Sequence, residues 1–218
     1  DDRSSKNTPT DHMVSFYQSF EAIKHNKYDG MIITGAPLGQ MAFEDVIFWP
    51  KLQEILDWTE TNVTSTMFLC WAVQAAMFHF YGVDKQLLSK KLTGVYPHEV
   101  IRPQSPIARG FDDHFEAPHS RYLFAHETGK HLFVTGHSEY EPDSLKNEYL
   151  RDRAAGLNPS IPEHYFVNDD PNQSVKVTWK SHGSLLFANW LNYYVYQLSP
   201  FDLSQIGAQR LVPPADLV

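Results

Sequence analysis

The sequence predicts an α/β fold, a single domain over residues 1–218 in which a mostly parallel sheet lies between two helical layers. Two observations carry that prediction. Segments with apolar residues at helical spacing alternate with short apolar or β-branched runs, and no repeat, low-complexity tract or Gly/Ser linker divides the chain. Asp11 to Lys24 carries Met13, Val14, Phe16, Tyr17, Phe20 and Ile23 at helical intervals, and Tyr28 to Thr34 follows as a strand that stops at Gly35. Phe48 to Thr59, with Trp49, Leu52, Ile55, Leu56 and Trp58 at helical intervals, leads into a strand from Asn62 to Leu69 that is rich in β-branched residues. Trp71 to Tyr81 is an apolar helix that Gly82 closes. Further strands are expected over Lys91 to Tyr96 and His131 to Thr135, and further helices over Ser144 to Ala155 and Ser184 to Gln197. Strands separated by helices pair in parallel and bury both sheet faces.

Composition narrows the function. With 42% hydrophobic and 20% charged residues, the chain has the makeup of a folded globular protein. A chain of this length buries about 70% of its unfolded surface, so folding needs neither disulfides nor a structural metal. Its single cysteine, Cys70, excludes an internal disulfide and any multi-thiolate metal site, and it suits the reducing cytoplasm. The net charge of −8 argues against nucleic acid as a partner. No run of 18 apolar residues exists and the start, Asp1 to Ser5, is polar, so neither a membrane span nor a secretion signal is expected. The 11 histidines show no ligand spacing, and no metal is expected.

Cys70 sits between an apolar strand and an apolar helix, at the carboxyl edge of a parallel sheet, where ligands bind and a helix N-terminus favours a thiolate. A buried, inert cysteine is the plainer reading of that residue alone, so a nucleophile needs a base. His137 supplies one: Gly136 breaks the strand before it, and in extended chain the alternate residues His137 and Glu139 point the same way. A Cys-His-Glu triad follows, the carboxylate orienting the imidazole. A turn histidine at the surface is the competing reading of His137. Arginines near Tyr149 to Arg153 offer a bidentate grip on a carboxylate, against the plainer reading of solvated charge.

Five stretches point further. They are Tyr-Asp-Gly-Met-Ile-Ile-Thr-Gly-Ala-Pro-Leu-Gly at 28–39, Thr-Ser-Thr-Met-Phe-Leu-Cys-Trp-Ala-Val-Gln-Ala at 64–75, and Gly-Phe-Asp-Asp at 110–113 with Pro-His-Ser-Arg-Tyr at 118–122. Gly-His-Ser-Glu-Tyr at 136–140 follows, then Ser-His-Gly at 181–183 ahead of Asn-Trp-Leu-Asn-Tyr-Tyr at 189–194. In this order they resemble the homoserine O-acyltransferases of methionine biosynthesis, of the homoserine O-succinyltransferase type, nearly end to end. The resemblance implies a class I glutamine amidotransferase-like fold and a ping-pong reaction. Cys70 would take an acyl group from succinyl-CoA or acetyl-CoA as a thioester and pass it to the homoserine hydroxyl, with His137 as general base and Glu139 orienting it. It implies that Arg151 holds the amino-acid carboxylate, that Lys91 and Ser120 are further substrate-site residues, and that the Trp71 amide helps form an oxyanion hole. Gly39 stands where the family chooses its acyl donor, small for succinyl and Glu for acetyl. Acyl-CoA and homoserine, or serine, are thus the expected partners, with no bound cofactor. A homodimer is the expected assembly, the aromatic segment Trp190 to Tyr196 serving as core or as dimer surface.

The chain departs from the family pattern in three places. It starts after an N-terminal strand and helix segment, the stretch following Tyr122 is short, and Ser138 replaces a proline-like residue. Other readings of the same residues are a serine O-acetyltransferase of cysteine biosynthesis, an amide hydrolase of the amidotransferase type, and an inactive binding protein. Against the hydrolase, the turn around Cys70 lacks the flanking glycines usual at an amidotransferase nucleophile.

Overall fold

The computed structural model describes residues 17–86, 92–119, 123–125 and 129–200. Helix α1 (Phe20–Ile23) is a single turn, because the Ser19 side chain accepts the Ala22 N–H and caps it there. The helix expected over Asp11 to Lys24 is therefore shorter within the described residues, and Asp11 to Phe16 lie outside them. Strand β1 (Tyr28–Ile33) leads to α2 (Trp49–Asn62), which has proline in its first turn. Strand β2 (Val63–Leu69) and α3 (Trp71–Tyr81) follow, and Gly82 at φ 65° ends α3 by bonding its N–H to the Phe78 carbonyl.

Strands β3 (Gly94–Glu99), β4 (His114–His119), β5 (Leu123–Ala125) and β6 (His131–Val134) come next. They precede α4 (Ser144–Ala154) and α5 (Lys180–Asn189). The main sheet runs β1-β2-β6-β5, with β1, β2 and β6 parallel and β5 antiparallel at the edge. In β2 every residue but Thr64 is buried, and all four of β6 are, as strands covered on both faces require. On one face Phe68 and Phe133 pack against Leu56 of α2 and Ala72, Val73 and Ala76 of α3. On the other, Met67, Leu69, Leu132 and Val134 meet Ile107, Leu186 and Trp190. Three layers result.

Two elements differ from expectation. The strand predicted over Lys91 to Tyr96 lies later, at β3, and stays out of the main sheet. It pairs antiparallel with β4 as a separate two-stranded arm. Pro97 and Pro118 give a reason, since neither has the N–H that an interior ladder demands. The last helix begins at Lys180 rather than Ser184, and after Asn189 it continues as a wider π turn, Trp190–Tyr196. Side-chain bonds pin that junction: Asn189 donates to the carbonyls of Ile107 and Arg109, and Trp190 Nε1 donates to Ser65 Oγ.

Candidate active site

The parallel register places Leu69 opposite Val134, so the chain leaving β2 and the chain leaving β6 emerge side by side at the carboxyl edge of the sheet. Cys70 is the residue between β2 and α3. Its backbone, at φ 56° and ψ −122°, lies in a region that non-glycine residues rarely occupy. Two hydrogen bonds hold it there: its N–H donates to the Val134 carbonyl at 3.0 Å, and its carbonyl accepts the Val73 N–H at 3.1 Å. The strand-to-helix turn sets the thiol at the start of α3 beside the amide of Trp71, which the first turn of the helix leaves without an intrahelical acceptor. Gly35, just past β1, closes over this turn. A Cβ on Gly35 would stand 2.7 Å from Trp71 N, 2.8 Å from Cys70 Cβ and 3.2 Å from its Sγ.

Beyond β6, the His137 N–H donates to the Pro118 carbonyl at 2.8 Å, tying the loop to β4. His137 Nδ1 lies 2.7 Å from Glu139 Oε1. Since a carboxylate only accepts, Nδ1 carries the hydrogen. The contact arises differently from the extended alternation expected of the sequence. The loop turns, Tyr140 N–H bonding back to the His137 carbonyl at 3.1 Å, and that turn folds the carboxylate onto the ring. Burial opposes a charged imidazole here, yet the hydrogen bonds to Cys70 and Glu139 overcome it and hold His137 up at about 9. The Tyr140 ring stacks on His137, centroids 4.1 Å apart, and its phenol donates to Glu148 of α4. Burial and that hydrogen bond push the phenol well above its usual range, so it stays protonated.

The raised His137 value has a sign. The proton is held more tightly in the folded chain than at the ordinary 6.5, so this contribution to stability is complete below 6.5 and is lost as pH climbs through about 9. Thermal melts of wild type and His137→Phe between about pH 6 and about pH 10 should show the wild-type advantage shrinking as pH rises. A gap that stays constant across that range would contradict the assignment.

A family model, that of homoserine O-succinyltransferase, matches residues 1–127 and 122–201. The chain belongs to this family. It is 48% identical to the homoserine O-succinyltransferase of Shewanella loihica over 95% of this chain and 73% of that protein. It is 50% identical to the one from Tolumonas auensis over 94% and 74%. A glutamine amidotransferase from Thermotoga maritima shares the fold, with a TM-score of 0.53, 14% identity, and coverage of 78% of this chain and 79% of that one.

Of the positions that the homoserine O-succinyltransferase pattern singles out, the structure brings together Cys70, His137, Glu139 and the amide of Trp71. Arg151, on α4 one turn from Glu148, is exposed; its guanidinium holds Asp152 through two nitrogens and lies within electrostatic reach of Glu148 and Tyr140. Among the described residues, its chain neighbours aside, no atom lies within 4 Å of where a Cβ on Gly39 would sit. Lys91 and Ser120 lie outside the described residues. Three contributors escaped the sequence reading. Gly35 looked only like a strand stop, Tyr140 only like part of a motif, and nothing in the sequence singled out Glu148. Among the described residues no three His, Cys, Asp or Glu side chains gather to hold a metal, and no helix is long and apolar enough to cross a membrane.

Proposed function

We propose that this chain moves an acyl group from acyl-CoA, through a thioester on Cys70, to the side-chain hydroxyl of homoserine. One observation carries the reading: a cysteine on a constrained strand-to-helix turn, hydrogen-bonded to a histidine whose other side a carboxylate holds. In the first half-reaction His137 takes the thiol proton, Cys70 Sγ attacks the thioester carbonyl, and CoA leaves as its thiol with that proton. One thioester replaces another, so the step is nearly balanced in energy. In the second half-reaction His137 takes the proton of the homoserine hydroxyl, whose oxygen attacks the acyl-enzyme, and the proton returns to Cys70. Glu139 keeps the imidazole turned to the thiol and stabilises its charge in both halves.

The Trp71 N–H is directed at the oxygen that becomes anionic in each tetrahedral intermediate. Arg151 is the anchor for the amino-acid carboxylate, with Lys91 and Ser120 as further substrate-site residues. The open position at Gly39 supports succinyl-CoA as donor, since no side chain of the described residues comes within 4 Å of a Cβ there. Homoserine as acceptor rests on the family, as does a place in methionine biosynthesis in the cytoplasm.

The test is CoA release from succinyl-CoA and acetyl-CoA, each crossed with homoserine and serine, alongside the intact mass of the protein. Release with succinyl-CoA and homoserine, and a succinyl mass on the enzyme when homoserine is withheld, is the expected result. Turnover with acetyl-CoA and serine alone would reassign both substrates. If no pair releases CoA and no acyl mass appears, the transferase reading fails, and hydrolysis of an amide becomes the next reaction to assay.

A further inference from the structure

Behind the His137 loop lies a small cavity, about 20 Å³, that the proposed reaction does not use. Gly136 and Ser138 of the loop form one wall, His182 at the start of α5 forms another, and Phe111 and Phe115 close it. His182 belongs to the Ser181-His182-Gly183 motif, to which the reaction assigns no role. Its ring is packed edge-on to Phe111 and tilted against Phe115, at centroid distances of 5.3 and 5.6 Å. Nε2 lies 3.2 Å from Asp112 Oδ2, and since a carboxylate only accepts, Nε2 holds the hydrogen of the neutral ring. Nδ1 is then an acceptor. It is buried, and among the described residues it has no hydrogen-bond partner, an arrangement that costs stability unless something donates to it.

The next residue brings α5 and the loop into contact. A Cβ on Gly183 would stand 2.5 Å from the Ser138 carbonyl oxygen and 3.4 Å from the Ser138 Cβ. Ser138 separates His137 from Glu139, so whatever fixes Ser138 also fixes the angle between imidazole and carboxylate. The cavity is large enough for one water, which needs roughly 10–15 Å³ of such space and at least two polar partners. His182 and Ser138 both line it, and between them the unpartnered Nδ1 and the serine hydroxyl offer two.

We propose that this cavity is a one-water site joining His182 to Ser138, and that through it His182 is a positioning residue for the loop that presents His137 to Cys70. The water donates to Nδ1 and accepts from the serine hydroxyl, while Asp112 fixes the tautomer that makes Nδ1 an acceptor. The inference rests on the reading that His137 and Glu139 act on Cys70.

The experiment compares wild type, Ser138→Ala, His182→Phe, the double variant and His182→Asn. It measures kcat and KM for CoA release and the pH profile of Cys70 alkylation by iodoacetamide. Each single removal should lower kcat about fivefold to tenfold, the scale of one hydrogen bond lost between polar groups. KM should hold within about twofold, because the loop is repositioned and the substrate contacts are kept. The double variant should be no slower than the slower single one, since both remove the same link. The alkylation profile should move in the same direction in all three, and His182→Asn, whose amide can meet the water from the Nδ1 position, should return most of the loss. A silent Ser138→Ala, or losses that multiply in the double variant, would overturn the proposal and leave His182 a packing residue. Ser138→Ala changes one hydroxyl on a half-buried loop, so the outcome does not depend on whether His182→Phe folds. If wild type shows no CoA release, the transferase reading fails, while the alkylation profiles still decide the positioning role.

Discussion

Cys70→Ala should fold as wild type does and lose acyl transfer by about a thousandfold or more, because on the proposed mechanism it deletes the atom that carries the acyl group. Alanine suits the site sterically: it removes Sγ, the atom nearest Gly35 after the backbone and Cβ, and adds nothing. The positive φ at position 70 disfavours both residues alike, so the turn is kept, and the melting temperature should fall only by the part of the His137 stabilisation that Cys70 supplies, a loss that fades as pH rises through about 9. CoA release in the presence of homoserine gives the rate, and intact mass after succinyl-CoA alone gives the chemistry, with an adduct on wild type only. His137→Ala should fall by a comparable factor. Combining the two should cost little more than either alone, as expected of groups that act as one unit. An adduct on Cys70→Ala, or a residual rate above about 10% of wild type, would place the nucleophile elsewhere.

The second large effect is expected at Gly35. The added methyl of Gly35→Ala meets the Trp71 backbone nitrogen at 2.7 Å and the Cys70 Cβ at 2.8 Å, both parts of a turn that two main-chain hydrogen bonds already hold. Neither neighbour is the free end of a flexible side chain, so the backbone must move. Overpacking of this kind costs about 1–3 kcal/mol. A displacement of the thiol and the Trp71 amide by a fraction of an ångström to one ångström costs kcat about a hundredfold. Gly39→Ala is the control for stability: among the described residues its methyl would meet no atom within 4 Å beyond its chain neighbours, and its melting temperature should match wild type. If Gly35→Ala keeps wild-type kcat, the close approach of β1 to the nucleophile turn has no part in catalysis.

The central pieces of this site are readable in the residues because their causes are local. The run from Asn62 to Leu69 and the apolar stretch that Gly82 ends leave one position for a strand-to-helix switch, and Cys70 occupies it. The pairing of His137 with Glu139 is also readable, although the geometry behind it is a turn closed by Tyr140 rather than extended chain. What escapes the sequence depends on partners far along the chain. Strand β3 chooses β4 over the main sheet, and no pattern within Lys91 to Tyr96 contains that choice. The sequence starts a helix at Ser184, yet α5 begins at Lys180 and runs through Gly183, where the Ser138 carbonyl leaves no room for a side chain. Gly35 follows the same logic, its role being set by Cys70 and Trp71 across the sheet edge.

The parallel ladder between β2 and β6 also orders events in time. Cys70 acquires His137 only when these two strands pair, and the chain between them holds all of α3 and the β3–β4 arm. Bringing together strands so distant in sequence is slow compared with winding α3 or pairing an arm of near neighbours. During synthesis the thiol therefore emerges long before its base, and a chain still attached to the ribosome at β5 carries a cysteine with no His137 beside it. The contact that brings His137 to Cys70 waits for β6, so on the proposed mechanism a half-made chain draws nothing from the pool of activated thioesters.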